Sequence, residues 1–226
     1  MSLLLAIDTS GPDCAVGLYD PTSGQPLAET SEHLGRGHAE RLMPMIEAAL
    51  YESGESFERI TRIAVCRGPG SFTGVRVGLA AARGLALALG VEAVGVTAFE
   101  AFAAARQKQQ ALTVALMAGR GLIWLQSFSE TGAALDLPVE VPEADSLDHI
   151  LPEIRILSGF AAQMIMEMAD ATDGLLVDDP SPSPPMAGIV AVALQADPHS
   201  HPVTALYLRA PDAKPQQPPL IVSGAS

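Results

Sequence analysis

Histidine, cysteine and tryptophan are scarce in this chain of 226 residues, with 5, 2 and 1 respectively. Cys14 and Cys66 stand alone, without the C-x-x-C spacing of a metal or redox site, and two isolated thiols make no disulfide framework. Both read as small core residues. That usage, with no signal-peptide pattern ahead of the first apolar run, places the chain in the cytoplasm. Basic residues are also few, 13 against 26 acidic, and the resulting net charge of −13 repels phosphate backbones rather than gathering them. Autonomous nucleic-acid binding is therefore not expected. Long uninterrupted apolar runs are missing too: the longest, residues 79–96, is broken by Arg83 and Glu92, which argues against a membrane span.

What the chain does have is apolar content, 48% of its residues, enough for one large core or two small lobes. Residues 3–7 (LLLAI) form a continuous apolar run closed by Asp8-Thr9-Ser10, the pattern of a buried central strand with polar groups at its carboxyl end. Residues 14–19 and 27–31 read as two further strands around the turn-rich DPTSG, so three strands precede any helix and the sheet is mixed. A helix is predicted over residues 38–52, with Leu42, Met45, Ile46, Ala49 and Leu50 on one face and Met43 beside it. Pro44 forces that helix to begin near Arg41 or to bend. His38 has no second histidine at helical spacing and is given a capping or surface role.

The most distinctive stretch is CRGPGSFTGVRVG, residues 66–78, a glycine-rich turn between an expected strand at 62–66 and an expected helix at 74–88. Two readings stand. Such a loop can be a tight strand-to-helix turn, or it can aim free N–H groups at a phosphate, although neither the P-loop nor the G-x-G-x-x-G pattern is present. The helix keeps three glycines, each costing about 1 kcal/mol against alanine, so a second backbone must approach it, whether its own sheet or a partner helix. Asp8 carries the same ambiguity between turn former and carboxylate addressing a metal or phosphate.

Residues 91–96 and 98–106 continue as strand and helix, and the pattern returns to strands at 112–117 and 122–128. Short elements follow at 139–142, 146–150, 154–160, 163–168 and 175–177, where Asp178 and Asp179 are read as solvated loop acids. Residues 180–185 (PSPSPP) read as a stiff linker, 186–195 as a final apolar helix returning to the first lobe, and 210–226 as a proline-rich tail whose Leu220-Ile221-Val222 is able to dock. The expected division is a lobe over 1–106, a smaller lobe over 107–209 and the tail.

AIDTS at the first strand, HAERLMPMI in the first helix, GPGSFTGVRVG after them and VTALYLR near the end together resemble the TsaB family, well over about the first 105 residues and weakly thereafter. The resemblance implies an α/β fold of two ribonuclease H-like lobes in the actin and sugar-kinase manner, the second reduced. It implies a non-catalytic partner of a TsaD-type transferase in threonylcarbamoyladenosine modification of tRNA, with a TsaE-type ATPase alongside, tRNA met only indirectly and a homodimer when alone. In the catalytic relatives a helix start bears H-x-x-x-H for a metal; aligned here, those positions are Ala98 and Phe102, so no metal site and no catalytic residues are expected. No cofactor is required, and ATP or ADP is placed at the partner interface. Asp8, Ser10, Gly70, Ser71 and Thr73 are expected to line a vestigial nucleotide cleft; Met43, Ile46, Leu50, Val75, Leu79 and Arg83 to form the partner surface. The turn Ala118-Gly119-Arg120 lacks the aspartate that relatives carry. The rival class is an enzyme on the same fold, a weak ATPase or kinase or a peptidase.

Overall fold

A computed structural model describes residues 2–106, 110–169 and 174–208. The first sheet holds β1 (Leu3–Asp8), β2 (Asp13–Tyr19), β3 (Pro26–His33), β4 (Ile60–Cys66) and β5 (Glu92–Val96) in the order β3-β2-β1-β4-β5. β1 pairs antiparallel with β2 and parallel with β4, as three strands before a helix require. All six residues of β1 are buried, because both faces of this central strand are covered; β3, at the edge, is polar and largely exposed.

One face is covered by α1 (His38–Ser53) and α2 (Phe72–Leu89). Leu42, Met45, Ile46, Ala49 and Leu50 of α1 and Val75, Leu79 and Ala82 of α2 meet Leu3, Leu5, Ile7 and Ile63 in one cluster. α1 begins at His38 and carries Pro44 inside it, so of the two alternatives, a start near Arg41 or a bend at the proline, the late start does not occur; Leu42, ahead of the proline, is buried in the core and Pro44 itself is exposed. Gly54 and Gly90, both left-handed, end the two helices.

The second sheet holds β6 (Leu112–Gly119), β7 (Leu122–Phe128), β8 (Val139–Pro142), β9 (Ile156–Ser158) and β10 (Leu176–Asp179), in the order β10-β9-β6-β7-β8. A 3₁₀ segment (Glu143–His149) and the 7-residue α4 (Ala162–Met168) cover it. α3 (Ala98–Ala105) and α5 (Met186–Gln195) pack on each other between the sheets. α5 lays Ile189, Val190 and Ala193 with Leu4, Ala6, Phe99 and Phe102, returning to the first sheet as the sequence led us to expect. From Ala196 to Leu208 the chain runs as a strap along the first sheet, where the Gly95 N–H donates to the His201 carbonyl at 2.9 Å.

Among the described residues only α2 is long and apolar enough to cross a membrane, with 18 residues of mean hydropathy 1.4. Its Val75, Leu79 and Ala82 are instead spent on the sheet beneath it. The expected docking triad Leu220-Ile221-Val222 lies outside the described residues.

Candidate functional site

Between the sheets lies a cleft of about 440 Å³. Ser10, Gly70 and Ser71 line it as expected. The other two residues expected there do not. Asp8 is wholly buried, because its side chain turns inward: one carboxylate oxygen accepts from the Ser10 N–H at 2.9 Å and the Ser10 hydroxyl at 2.7 Å. Its second oxygen is buried without a partner, and burial raises the pKa of the group despite those bonds. Ser10 also receives the Cys66 thiol at 3.3 Å, and burial raises that thiol well above its ordinary value. Thr73 lines a separate hollow with Gly37, His38 and Glu40.

The glycine turn has a structural explanation. A Cβ on Gly70 would overlap the Ser10 carbonyl, and one on Gly74 the Thr9 carbonyl, so the start of α2 lies against the end of β1. The Ser71 N–H donates to the Ser10 carbonyl at 2.7 Å and the Gly74 N–H to the Ser71 hydroxyl at 3.2 Å. Two of the N–H groups a phosphate would need are therefore occupied by the chain itself.

On the opposite wall, Thr97 and Glu100 form a capping box: the Thr97 N–H donates to Glu100 at 2.7 Å, and the Glu100 N–H returns to the Thr97 hydroxyl at 3.0 Å. That box fixes the start of α3, and Ala98 and Phe102 are presented to the cleft from it, 1% and 2% exposed. Neither can ligate a metal. No group of three or more His, Cys, Asp or Glu that could hold one occurs among the described residues.

The rest of the lining came from residues whose part was not foreseen. Leu116, Met117 and Trp124 of the second sheet, Phe160 after β9, and Pro182 and Pro184 close the cleft. The proline run read as a linker is thus a wall, tied to the first sheet by the Ser183 hydroxyl donating to Asp13 at 2.7 Å. Nothing local in PSPSPP signals this, since the wall exists only after β10 and α5 are placed.

The expected partner surface needs correction. Ile46, Leu50, Val75 and Leu79 are at most 4% exposed, because the apolar stripe of each helix is consumed by its own sheet. Met43, 36% exposed, does face outward. Arg83 is exposed, but its Nε donates to the Val203 carbonyl at 2.8 Å, holding the strap; Arg76 similarly donates to the Tyr207 hydroxyl at 3.0 Å. The large side chains left outside on these helices are Tyr51, Phe72 and Leu87, 88%, 58% and 86% exposed.

Two sheets of one topology with a cleft between them define a two-lobed α/β protein of the actin and sugar-kinase type. The family profile described as TsaD, tRNA N6-adenosine threonylcarbamoyltransferase, matches residues 31–170, more than half of the chain. The chain belongs to that family, as a homologue of its TsaB (YeaZ) members. An uncharacterized protein of Mycobacterium tuberculosis is 31% identical over 219 residues, 95% of each chain. The tRNA threonylcarbamoyladenosine biosynthesis protein TsaB of Escherichia coli is 36% identical over 115 residues, 51% of this chain and 48% of that one. YeaZ from Pseudomonas aeruginosa superposes with a TM-score of 0.74 at 24% identity, over 92% of this chain and 100% of the other, a likeness of fold.

Proposed function

We propose that this chain is a non-catalytic subunit in threonylcarbamoyladenosine modification of tRNA, pairing with a TsaD-type transferase in the cytoplasm. The observation that carries this reading is the start of α3. Where the resemblance puts two metal-binding histidines, Ala98 and Phe102 are buried in apolar packing and offer no ligand atom. A TsaE-type ATPase and the tRNA then belong to the partner side, which suits a net charge of −13, and ATP or ADP is met at the partner interface.

The pairing surface is the outer side of α1 and α2. Met43, Tyr51 and Leu87 stand there beside the exposed small residues Ala48, Ala80 and Gly84, which let another helix approach closely. When the transferase is absent, a second copy occupies the same side.

Reconstitution tests the reading. Transferase, ATPase, threonylcarbamoyl adenylate and tRNA should form the modified nucleoside only when this chain is added, and this chain with substrates but no transferase should form none. Product from this chain alone would overturn the proposal. Leu87→Glu should weaken co-elution with the transferase at least about tenfold while leaving the melting temperature unchanged.

A further inference from the structure

The starts of the two long helices of the first lobe meet at a hollow of about 460 Å³, which shares Gly35 and Ser71 with the cleft between the sheets. Arg36, His38 and Glu40 line it from the entry and first turn of α1, Ser71 and Thr73 from the start of α2. Helices of 16 and 18 residues each leave the N–H groups of their first turn without a partner in their own helix, and each start is the positive end of a dipole. α2 returns its Gly74 N–H to the Ser71 hydroxyl. At α1 no side chain makes a capping bond; Gly37, at φ +88°, stands at the N-cap position.

His38 adds an observation of a different kind. Expected as a cap or at the surface, it is only 7% exposed, and its Nε2 is buried without a hydrogen-bond partner. A buried polar nitrogen left in that condition costs the water it gave up, and this ring lines a hollow in which a ligand oxygen can meet it.

We propose that this hollow binds a phosphate group, free or carried on a small molecule, with the His38 ring N–H donating to one of its oxygens. An oxyanion is the ligand that suits the groups gathered here, since the imidazole, the first-turn N–H groups, the Thr73 hydroxyl and the Arg36 guanidinium all donate. The hollow is larger than a phosphate alone and leaves room for a substituent. Glu40 is the one carboxylate among the lining residues and opposes the anion. With a net charge of −13 over the chain, that opposition keeps binding weak, with a dissociation constant on the order of 1 mM. The site needs no transferase, so it stands or falls apart from the pairing proposed above.

The full chain, isotope-labelled for amide spectra, is titrated with inorganic phosphate and with O-phosphoserine at constant ionic strength. The amide signals of Ala39 and Thr73 should move and saturate with both probes; tighter phosphoserine points to a phosphorylated small molecule, equal affinities to phosphate itself. His38→Leu, which replaces the ring by apolar volume, should weaken binding about tenfold without lowering the melting temperature. Glu40→Gln should tighten it roughly threefold. If His38→Leu melts early, Arg36→Ala, at an exposed position, carries the test with a loss of about threefold. Unchanged affinity in a folded His38→Leu, or in Arg36→Ala where that variant is needed, would overturn the proposal, as would amide shifts that chloride reproduces. So would saturation of the same signals by magnesium with Glu40→Gln weakening it, the behaviour of a cation site.

Discussion

Strand for strand, β1 to β5 and β6 to β10 follow one path: an antiparallel meander of three, then two parallel strands on the other side of the first. Their coverings differ sharply. Where the first sheet has helices of 16 and 18 residues, the second has a 3₁₀ segment of 7 and a helix of 7. Topology thus survives with far less packing behind it, because strand order is fixed by pairing and crossover rules while helix length sets how much apolar surface is buried. The ends of the equivalent central strands differ as well: β1 closes on the buried carboxyl of Asp8, β6 on Ala118 and Gly119.

That contrast can be broken by mutation. The largest effect is expected from Leu79→Glu, which puts a charge under α2 at a position 4% exposed; the protein should fail to accumulate in soluble form rather than become monomeric. Next comes truncation of equivalent cores. Ile46→Ala should cost about 4 kcal/mol in denaturant unfolding, and Ile165→Ala of α4 nearer 2 kcal/mol, with hydrogen exchange in β6, β9 and β10 accelerating first. Equal costs would show that the thin covering is no weaker.

Both sheets also depend on a glycine after the fourth strand's path. Gly74→Ala meets the Thr9 carbonyl, and Gly159→Ala, at φ +95°, meets that of Ala115. Each should cost about 1 to 3 kcal/mol, read from the shift in urea midpoint at constant slope.

A smaller effect separates the strand ends. Burial holds the pKa of Asp8 above its unfolded value, so the native state keeps a proton that the unfolded chain releases from about pH 4 upward. Stability contributed by that proton is present at low pH and lost as pH rises through the folded value. Asp8→Asn should therefore gain melting temperature relative to the native protein as the buffer is taken from about pH 4 upward, read from paired thermal melts across a pH series. A native protein whose stability is flat relative to the variant over that interval would deny the carboxyl its buried state.

Much of the architecture was legible from the residues. Apolar runs such as LLLAI located the strands, and the stripe of α1 was named residue by residue, because pairing and amphipathicity leave period-two and period-3.6 traces. What the stripe packs against leaves no trace. Ile46 and Leu50 fit a sheet beneath them or a helix beside them equally well, and the sheet takes them. The cleft was half legible: Ser10, Gly70 and Ser71 sit in motifs, whereas Phe160 and Pro182 reach it only through contacts far apart in sequence. Asp8 was placed at the right strand end, but which way its carboxyl turns depends on the Ser10 bonds.

α5 carries one more consequence. Ile189, Val190 and Ala193 complete the packing over Leu4 and Ala6, although some ninety residues separate the fifth strand from that helix. During synthesis at about 10 residues per second, the early half of the polypeptide therefore waits on the order of ten seconds with a greasy flank bare, a window in which a ribosome-bound chaperone has something to hold.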